Sequence, residues 1–374
     1  MTIHIFNPEH DIALAANLSN FTAPHAGRQL RHDLGFLPAL WAKEDDVVLV
    51  DDVELARRSY DRLLQAARKY LGGVCSVQTA ALLRPNCQFA PFKLPVCSVQ
   101  TASLEPWGWD LALKARLKRA GASESLLPSD TQIGHIRELS HRRTAAVLLP
   151  KLLCEGTVGI SHVCSCVDEV DRLLRRYGKV VLKAPWSSSG RGLRFLDVER
   201  TPLQMQAGWL RNVLKSQGGV MVEPFYNKVK DFGMEFTRST DGFIKYEGLS
   251  LFHTVNGAYT GNIIATENRK REMISRYIST ALLDDIRQKI IDIADLEGYH
   301  GPFGVDMMIV RGEGEDSEHQ TDLLLHPCVE INLRRTMGHA ALSLTPTDDD
   351  VVRVMRIVYT DNAYKLKLQA VRNP

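Results

Sequence analysis

No apolar run in these 374 residues reaches the roughly 20 residues that a helix needs to cross a bilayer, which excludes a membrane-spanning helical protein. An excess of charge is also missing. The formal net charge is +2, so no general attraction to nucleic acid or to a membrane surface follows. Paired cysteine spacing is absent. The seven cysteines are an odd, scattered set. Cys164-Ser165-Cys166 is too tight for a zinc ribbon and has no complementary second pair, so the reading is reduced thiols rather than metal or disulfide. No basic-then-apolar leader precedes Asn7-Pro8-Glu9-His10-Asp11, which gives the expectation of a cytoplasmic protein. Long repeats are lacking too. The string CSVQTA occurs twice, at 75–80 and 97–102, and two copies do not make a solenoid.

What is present describes an ordinary globular chain, with 44% hydrophobic and 24% charged residues, long enough for two or three domains. Short strands at Thr2–Phe6 and Val47–Val50 alternate with helical patterns at Val53–Tyr70 and Asp110–Ala120, and a further strand is expected over 95–101. That alternation predicts a parallel sheet covered by helices. Helices are expected at Ser140–Leu153, with Ser140 as N-cap, at Val167–Tyr177, near Leu203–Ser216 and, as one long element, at Met273–Leu296. Strands are expected at Gly219–Phe225, Asp231–Ser239, Phe243–Leu251, Phe303–Val310, Leu323–Leu325 and Cys328–Asn332. The acidic stretch Gly312–His319 reads as a solvated connection.

Two segments carry chemistry. Val180–Phe195 (VVLKAPWSSSGRGLRF) reads as a strand, a loop of small residues and a second strand. A loop so small lets backbone N–H groups close on an anion, and Lys183 stands where its ammonium meets the same anion. The lysine precedes the glycines and a strand follows, so this is not the G-x-x-x-x-G-K-[ST] loop. The second segment is Val329–Arg334. Alternation on a strand puts Glu330, Asn332 and Arg334 on one face, with Ile331 and Leu333 on the other. A carboxylate, an amide oxygen and a guanidinium together suit Mg²⁺ and phosphate. Asp306, in the Gly304-Val305-Asp306 strand one hairpin earlier, is the cross-strand candidate for a second carboxylate. The basic run His141-Arg142-Arg143 at a helix start opposes the helix dipole, which suggests that one of the three serves an anion.

In this order, basic helix start, lysine strand, Gly–Ser flap, VEPF strand, GVD strand and ExNxR strand, the chain resembles the ATP-grasp superfamily over roughly its last two thirds. The flap and the ExNxR spacing are similar to those of biotin carboxylases, and the GVDMM and EIN strands to those of D-alanine–D-alanine ligases. The fold this implies is mixed α/β and α+β. A Rossmann-like domain (1–125) precedes a small subdomain with the phosphate flap (126–218) and a large subdomain with the metal site (219–374).

The resemblance also implies roles. Lys183 would contact the α- and β-phosphates of ATP. Ser187, Ser188, Ser189 and Gly190 would cover the β- and γ-phosphates. Arg143 stands where the family has a nucleotide-binding lysine. Glu223, Pro224, Phe225 and Tyr226 would form the hinge that reads adenine, and Asp231 would meet the ribose. Asp306, Glu330 and Asn332 would hold one or two Mg²⁺, and Arg334 would stabilise the transferring phosphoryl or an acyl phosphate. One departure stands out: Gly304 occupies the place of an arginine in D-alanine–D-alanine ligases. The substrate candidates are His10, Asp11, His25 and Arg28 in the first segment, and Asn256 and Asn262 in a glycine-rich polar loop from Phe252. His339 is an acid–base candidate against the plainer reading of a locally satisfied residue. The expected activity is ATP- and Mg²⁺-dependent ligation of a small carboxylate to an amine or thiol. The alternatives are a kinase acting on a hydroxyl, or a nucleotide-binding module without turnover. No nucleic-acid or membrane partner is expected, and the oligomeric state is left open, a homodimer included.

Overall fold

The computed structural model describes residues 1–71, 87–92, 102–187, 192–255, 258–312 and 323–371. In chain order it opens with β1 (Thr2–Ile5), α1 (His10–Ala16), α2 (His25–Leu34), β2 (Val47–Val50), α3 (Val53–Tyr70), β3 (Gln88–Pro91), β4 (Ser103–Pro106) and α4 (Leu111–Arg119). All pairings in this sheet are parallel and its order is β3-β2-β1-β4. The α3 helix starts where Asp52 accepts a hydrogen bond from the Leu55 amide, and it buries Ala56, Tyr60, Leu63, Leu64 and Ala67 along one stripe. The winding reverses between β1 and β4, so a crevice opens past their carboxyl ends, at Asn7 and Trp107. The strand expected over 95–101 lies outside the described residues, as does most of both CSVQTA copies and of the acidic connection.

The next elements are α5 (Asp130–Leu139), α6 (Arg143–Leu152), β5 (His162–Cys164), α7 (Val167–Tyr177), β6 (Lys179–Lys183), β7 (Leu193–Asp197), α8 (Ala207–Gln217) and β8 (Val220–Pro224). The strands form an antiparallel sheet, β5-β8-β6-β7. Val180, Leu182, Leu196, Val220 and Val222 bury their side chains with Val170, Leu174, Leu210 and Val213. Alternation therefore turns Val181, Lys183 and Glu223 to the opposite face. Ser140 is not an N-cap. It closes α5, its hydroxyl donating to the Ile136 carbonyl at 2.7 Å. The helix it closes was not expected from the sequence, although Ser129 and Gln132 form a complete capping box at its start.

The remaining elements are β9 (Lys228–Arg238), β10 (Ile244–Ser250), β11 (Phe252–Val255), β12 (Ala258–Ile264), α9 (Glu267–Ser275), α10 (Thr280–Ile293), β13 (Gly301–Arg311), β14 (Leu323–Asn332), α11 (Met337–Leu342), β15 (Arg353–Thr360) and β16 (Ala363–Ala370). One antiparallel sheet runs β10-β9-β13-β14. Phe232, Met234, Phe236, Val305, Met307, Ile309, Leu325 and Ile331 are buried with Leu283, Ile286 and Ile290 of α10 and with Ile136, Leu148 and Leu149 of α5 and α6. The long helix expected over Met273–Leu296 is two helices, because Ser279 caps a new one by accepting from the Leu282 amide at 3.1 Å. The two strands expected on either side of His326-Pro327 are one. The register shifts between Asp306 and Met308, and a bulge tolerates proline, which has no N–H to give.

The polar loop expected from Phe252 is instead the β11–β12 hairpin, part of a fourth sheet, β11-β12-β15-β16. Met355 and Leu368 of that sheet share a core with Phe6, Leu34, Val48 and Leu63 of the first elements. Among the described residues no helix is long and apolar enough to cross a membrane. Cys87, Cys154, Cys164, Cys166 and Cys328 carry free thiols.

Candidate active site

The face of the β10-β9-β13-β14 sheet turned away from α10 carries the polar residues. Strand partners share a face, and the register pairs Gly304 with Asn332, Asp306 with Glu330 and Met308 with His326, while Gly233 and Glu235 of β9 lie opposite Asp306 and Gly304. Asp306, Glu330 and Asn332 are thus brought together as expected. The Asn332 amide donates to Asp306 Oδ2 at 3.1 Å and its oxygen accepts from Arg334 Nη2 at 3.0 Å. Burial, then the charges of Glu330 and Glu235, push the Asp306 carboxyl up to about 8. Arg142 pairs with Glu330 and Arg334 offsets part of the charge on Asp306, and a hard divalent ion would relieve the rest. Two carboxylates and an amide oxygen fit Mg²⁺, which keeps open positions for water or phosphate. Among the described residues there is no group of three or more His, Cys, Asp or Glu placed to hold a metal by themselves.

The facing sheet supplies the cation. Lys183 Nζ lies 2.5 Å from Glu223 Oε2, both side chains being buried, and Ser161 donates to Glu223 Oε1 at 3.1 Å. Cys328 sits between the two sets. Its thiol is pushed up by burial and by the Glu223, Asp306 and Glu330 carboxylates. Pro224 ends β8, the Phe225 amide donates to the Lys179 carbonyl at 3.0 Å, and the Tyr226 ring stands edge-on to His326 at 5.5 Å.

Arg142 links the two sheets. Its guanidinium donates to the Ala184 carbonyl (2.6 Å), to Ser187 Oγ (2.7 Å) and to Glu330 Oε2 (2.8 Å). Arg143, the residue expected here, points instead to Glu138 at 2.7 Å and is half exposed. The run of basic residues signalled an anion partner, but the phase of the helix start decided which one meets it. Ser187 is at the neck of the flap. A Cβ on Gly192 would stand 2.2 Å from Ser187 Oγ, so only glycine closes that neck. Trp186 anchors it, with Nε1 donating to the Arg137 carbonyl at 2.9 Å. Ser188, Ser189 and Gly190 lie outside the described residues.

Arg334 turns to the first sheet. Its Nε and Nη2 donate to the two carboxylate oxygens of Asp11 at 2.8 and 2.7 Å. Asp11, expected to meet substrate, is therefore occupied as the partner of Arg334, which holds its carboxyl below the usual range against the opposing effect of burial. His10 is buried over Gly108, 3.5 Å from Asp110, at the crevice between β1 and β4. The other substrate candidates are not brought here. His25 is exposed at the start of α2, Arg28 donates to the Ala23 carbonyl at 2.7 Å, and Asn262 is buried, donating to Ser250 at 2.9 Å. Asn256 lies outside the described residues. Asp231 accepts from Lys228 Nζ at 2.5 Å and from the Thr254 hydroxyl. His339, with no sequence signal beyond its type, faces Glu235 at 3.0 Å and the Phe236 carbonyl at 3.2 Å. A cavity of about 390 Å³ lies elsewhere, between α2, α3 and β16.

No family model and no curated protein matches the chain. Among solved structures, the chain is similar to N5-carboxyaminoimidazole synthetase from Staphylococcus aureus complexed with ADP (14% identity, TM-score 0.46, 96% of this chain and 83% of that one). It is also similar to a biotin carboxylase–ATP complex from Campylobacter jejuni (12% identity, TM-score 0.49, 95% and 75%). A third is the biotin carboxylase domain of 2-oxoglutarate carboxylase from Hydrogenobacter thermophilus (13% identity, TM-score 0.45, 83% and 74%). At TM-scores below 0.5 these likenesses stand beside the geometry, and the reading of the site rests on the chain's own residues.

Proposed function

We propose that this chain is an ATP- and Mg²⁺-dependent ligase of the ATP-grasp type, which activates a small carboxylate as an acyl phosphate for attack by an amine or thiol. One observation carries the reading. A buried lysine–carboxylate pair on one sheet, Lys183–Glu223, faces an acidic and amide set on another, Asp306, Glu330 and Asn332, with Arg142 bonded to both the flap neck and Glu330. Cation and carboxylate sets brought this close suit a polyphosphate and its metal ion. The solved structures to which the chain is similar include ADP and ATP complexes, in keeping with this reading.

Phosphoryl transfer depends on positioning and on neutralising charge more than on covalent help. Asp306, Glu330 and Asn332 would hold Mg²⁺, which screens the phosphates when bound. Lys183 and Arg142 would take phosphate oxygens, exchanging their present carboxylate and carbonyl partners for them. Arg334, fixed by Asp11, would turn toward the developing charge the donors that now go to Asn332 Oδ1 and the Arg335 carbonyl. Buried surroundings around Lys183 and Cys328 exclude water, which an acyl phosphate needs. In this reading residues 1–125, 126–218 and 219–374 are the three domains, with α5 and α6 packed on the third.

The test is ADP formation from ATP over pooled small carboxylates, with and without amines or thiols. ADP that requires both a carboxylate and a nucleophile supports the ligase. ADP that requires only an alcohol makes the chain a kinase, and nucleotide binding without ADP under any condition makes it a binding module.

A further inference from the structure

His326 is fully buried on β14, and among the described residues neither of its ring nitrogens has a hydrogen-bond partner. Its own backbone, Glu223 and Lys183 act on the ring electrostatically, but none of them is a hydrogen-bond partner of either ring nitrogen. A buried polar group left unpaired is costly, so such a group in a native fold needs an explanation. A phenylalanine or leucine would fill the same space without that penalty.

The surroundings are built to accept this ring. Gly159 stands against it at φ +155°, and a Cβ there would lie 2.9 Å from His326 Nε2. Tyr226 meets it edge-on, and Met308 is its cross-strand neighbour. Lys183 and Glu223 are close enough to act on it electrostatically, and burial with Lys183 lowers the imidazole to about 4. The ring is therefore neutral at ordinary pH, with one nitrogen a donor and the other an acceptor. The two nitrogens of a neutral imidazole point in divergent directions, so beside the 223–226 segment one of them can meet a donor or acceptor on a nucleobase edge.

We propose that His326 reads the nucleobase, with one of its unpaired ring nitrogens hydrogen-bonding to the base edge of the bound triphosphate. This rests on the nucleotide reading above and adds a side-chain determinant of base choice to it. His326 is then a specificity residue. It leaves the phosphates to Lys183 and Arg142.

The experiment is calorimetry of ATP, GTP, CTP and base-free tripolyphosphate on the full chain and on His326→Phe. The wild type should favour one nucleotide over the others. The variant should narrow that preference by about 3- to 10-fold, the factor that one neutral hydrogen bond supplies, while tripolyphosphate binds equally to both. Unchanged preference in the variant overturns the inference and leaves the nucleotide reading standing. A wild type that binds none of the four removes both. Should the variant fail to fold, ¹⁵N-histidine spectra of the wild type decide. ATP, and not tripolyphosphate, should shift the His326 ring nitrogens, and their failure to shift overturns the assignment.

Discussion

Asp306 offers the sharpest test of the acidic face. Its carboxyl is pushed from 3.8 up to about 8, first by burial and then by Glu330 and Glu235. Between those two values the folded chain holds a proton that the unfolded chain has released. Stability is therefore greatest below the unfolded value and falls as pH rises toward the folded one. About 4 units at about 1.4 kcal/mol each sets an upper bound of roughly 5–6 kcal/mol. Asp306 retains partial surface exposure although protein atoms surround it closely, so water relaxes part of this, and about 2–3 kcal/mol is expected. Urea unfolding in chelator from pH 4.5 to 8.5 measures it, with Asp306→Asn as the comparison. His141 and His326, both lowered to about 4, act oppositely, because the unfolded chain binds their protons between pH 4 and 6.5. The difference between wild type and variant isolates Asp306. The variant should gain stability relative to wild type steadily from pH 5 to 8. Parallel pH curves for the two proteins would refute the picture of crowded carboxylates.

Removing Arg142 strands a Glu330 carboxylate and two acceptors at the flap neck. A double-mutant cycle of Arg142→Ala with Glu330→Gln should show a coupling of about 1.5–3 kcal/mol by urea unfolding, and a coupling near zero would reduce the ion pair to a surface contact. Lys183→Ala should weaken binding of a non-hydrolysable ATP analogue by about 1.5–3 kcal/mol in calorimetry, and equal affinity would take Lys183 out of the site. Gly192→Ala should displace Ser187 and lower ADP formation at least 10-fold, with a thermal midpoint within a few degrees of wild type; full activity would show that the neck need not close. Asp11→Asn should lower turnover more than it weakens nucleotide binding, since its carboxylate orients Arg334, and matched losses in both would place Asp11 elsewhere.

Local chemistry determined much of this protein from sequence alone. Helix α3 was legible to the residue, because a capping Asp52 and an apolar stripe at 56, 60, 63, 64 and 67 are both local signals. The same holds for β2, α7 and the shared face of Glu330 and Asn332, which needs only the two-residue period of a strand. What depended on distant partners was not legible. Whether Arg142 or Arg143 turned inward followed from where α5 ended and α6 began, a matter of packing against β14. That Asp11 would clasp Arg334, 323 positions away, required the crevice of the first sheet to meet the end of the metal strand. Gly304 read as the loss of an arginine. Only the assembled sheet showed that Glu235 fills the space beside it, since a Cβ on Gly304 would lie 2.6 Å from that carboxylate. Sequence period assigns a side chain to a face. Which charges then share that face, and so which of them are free to meet a ligand, is decided when strands far apart in the chain come into register.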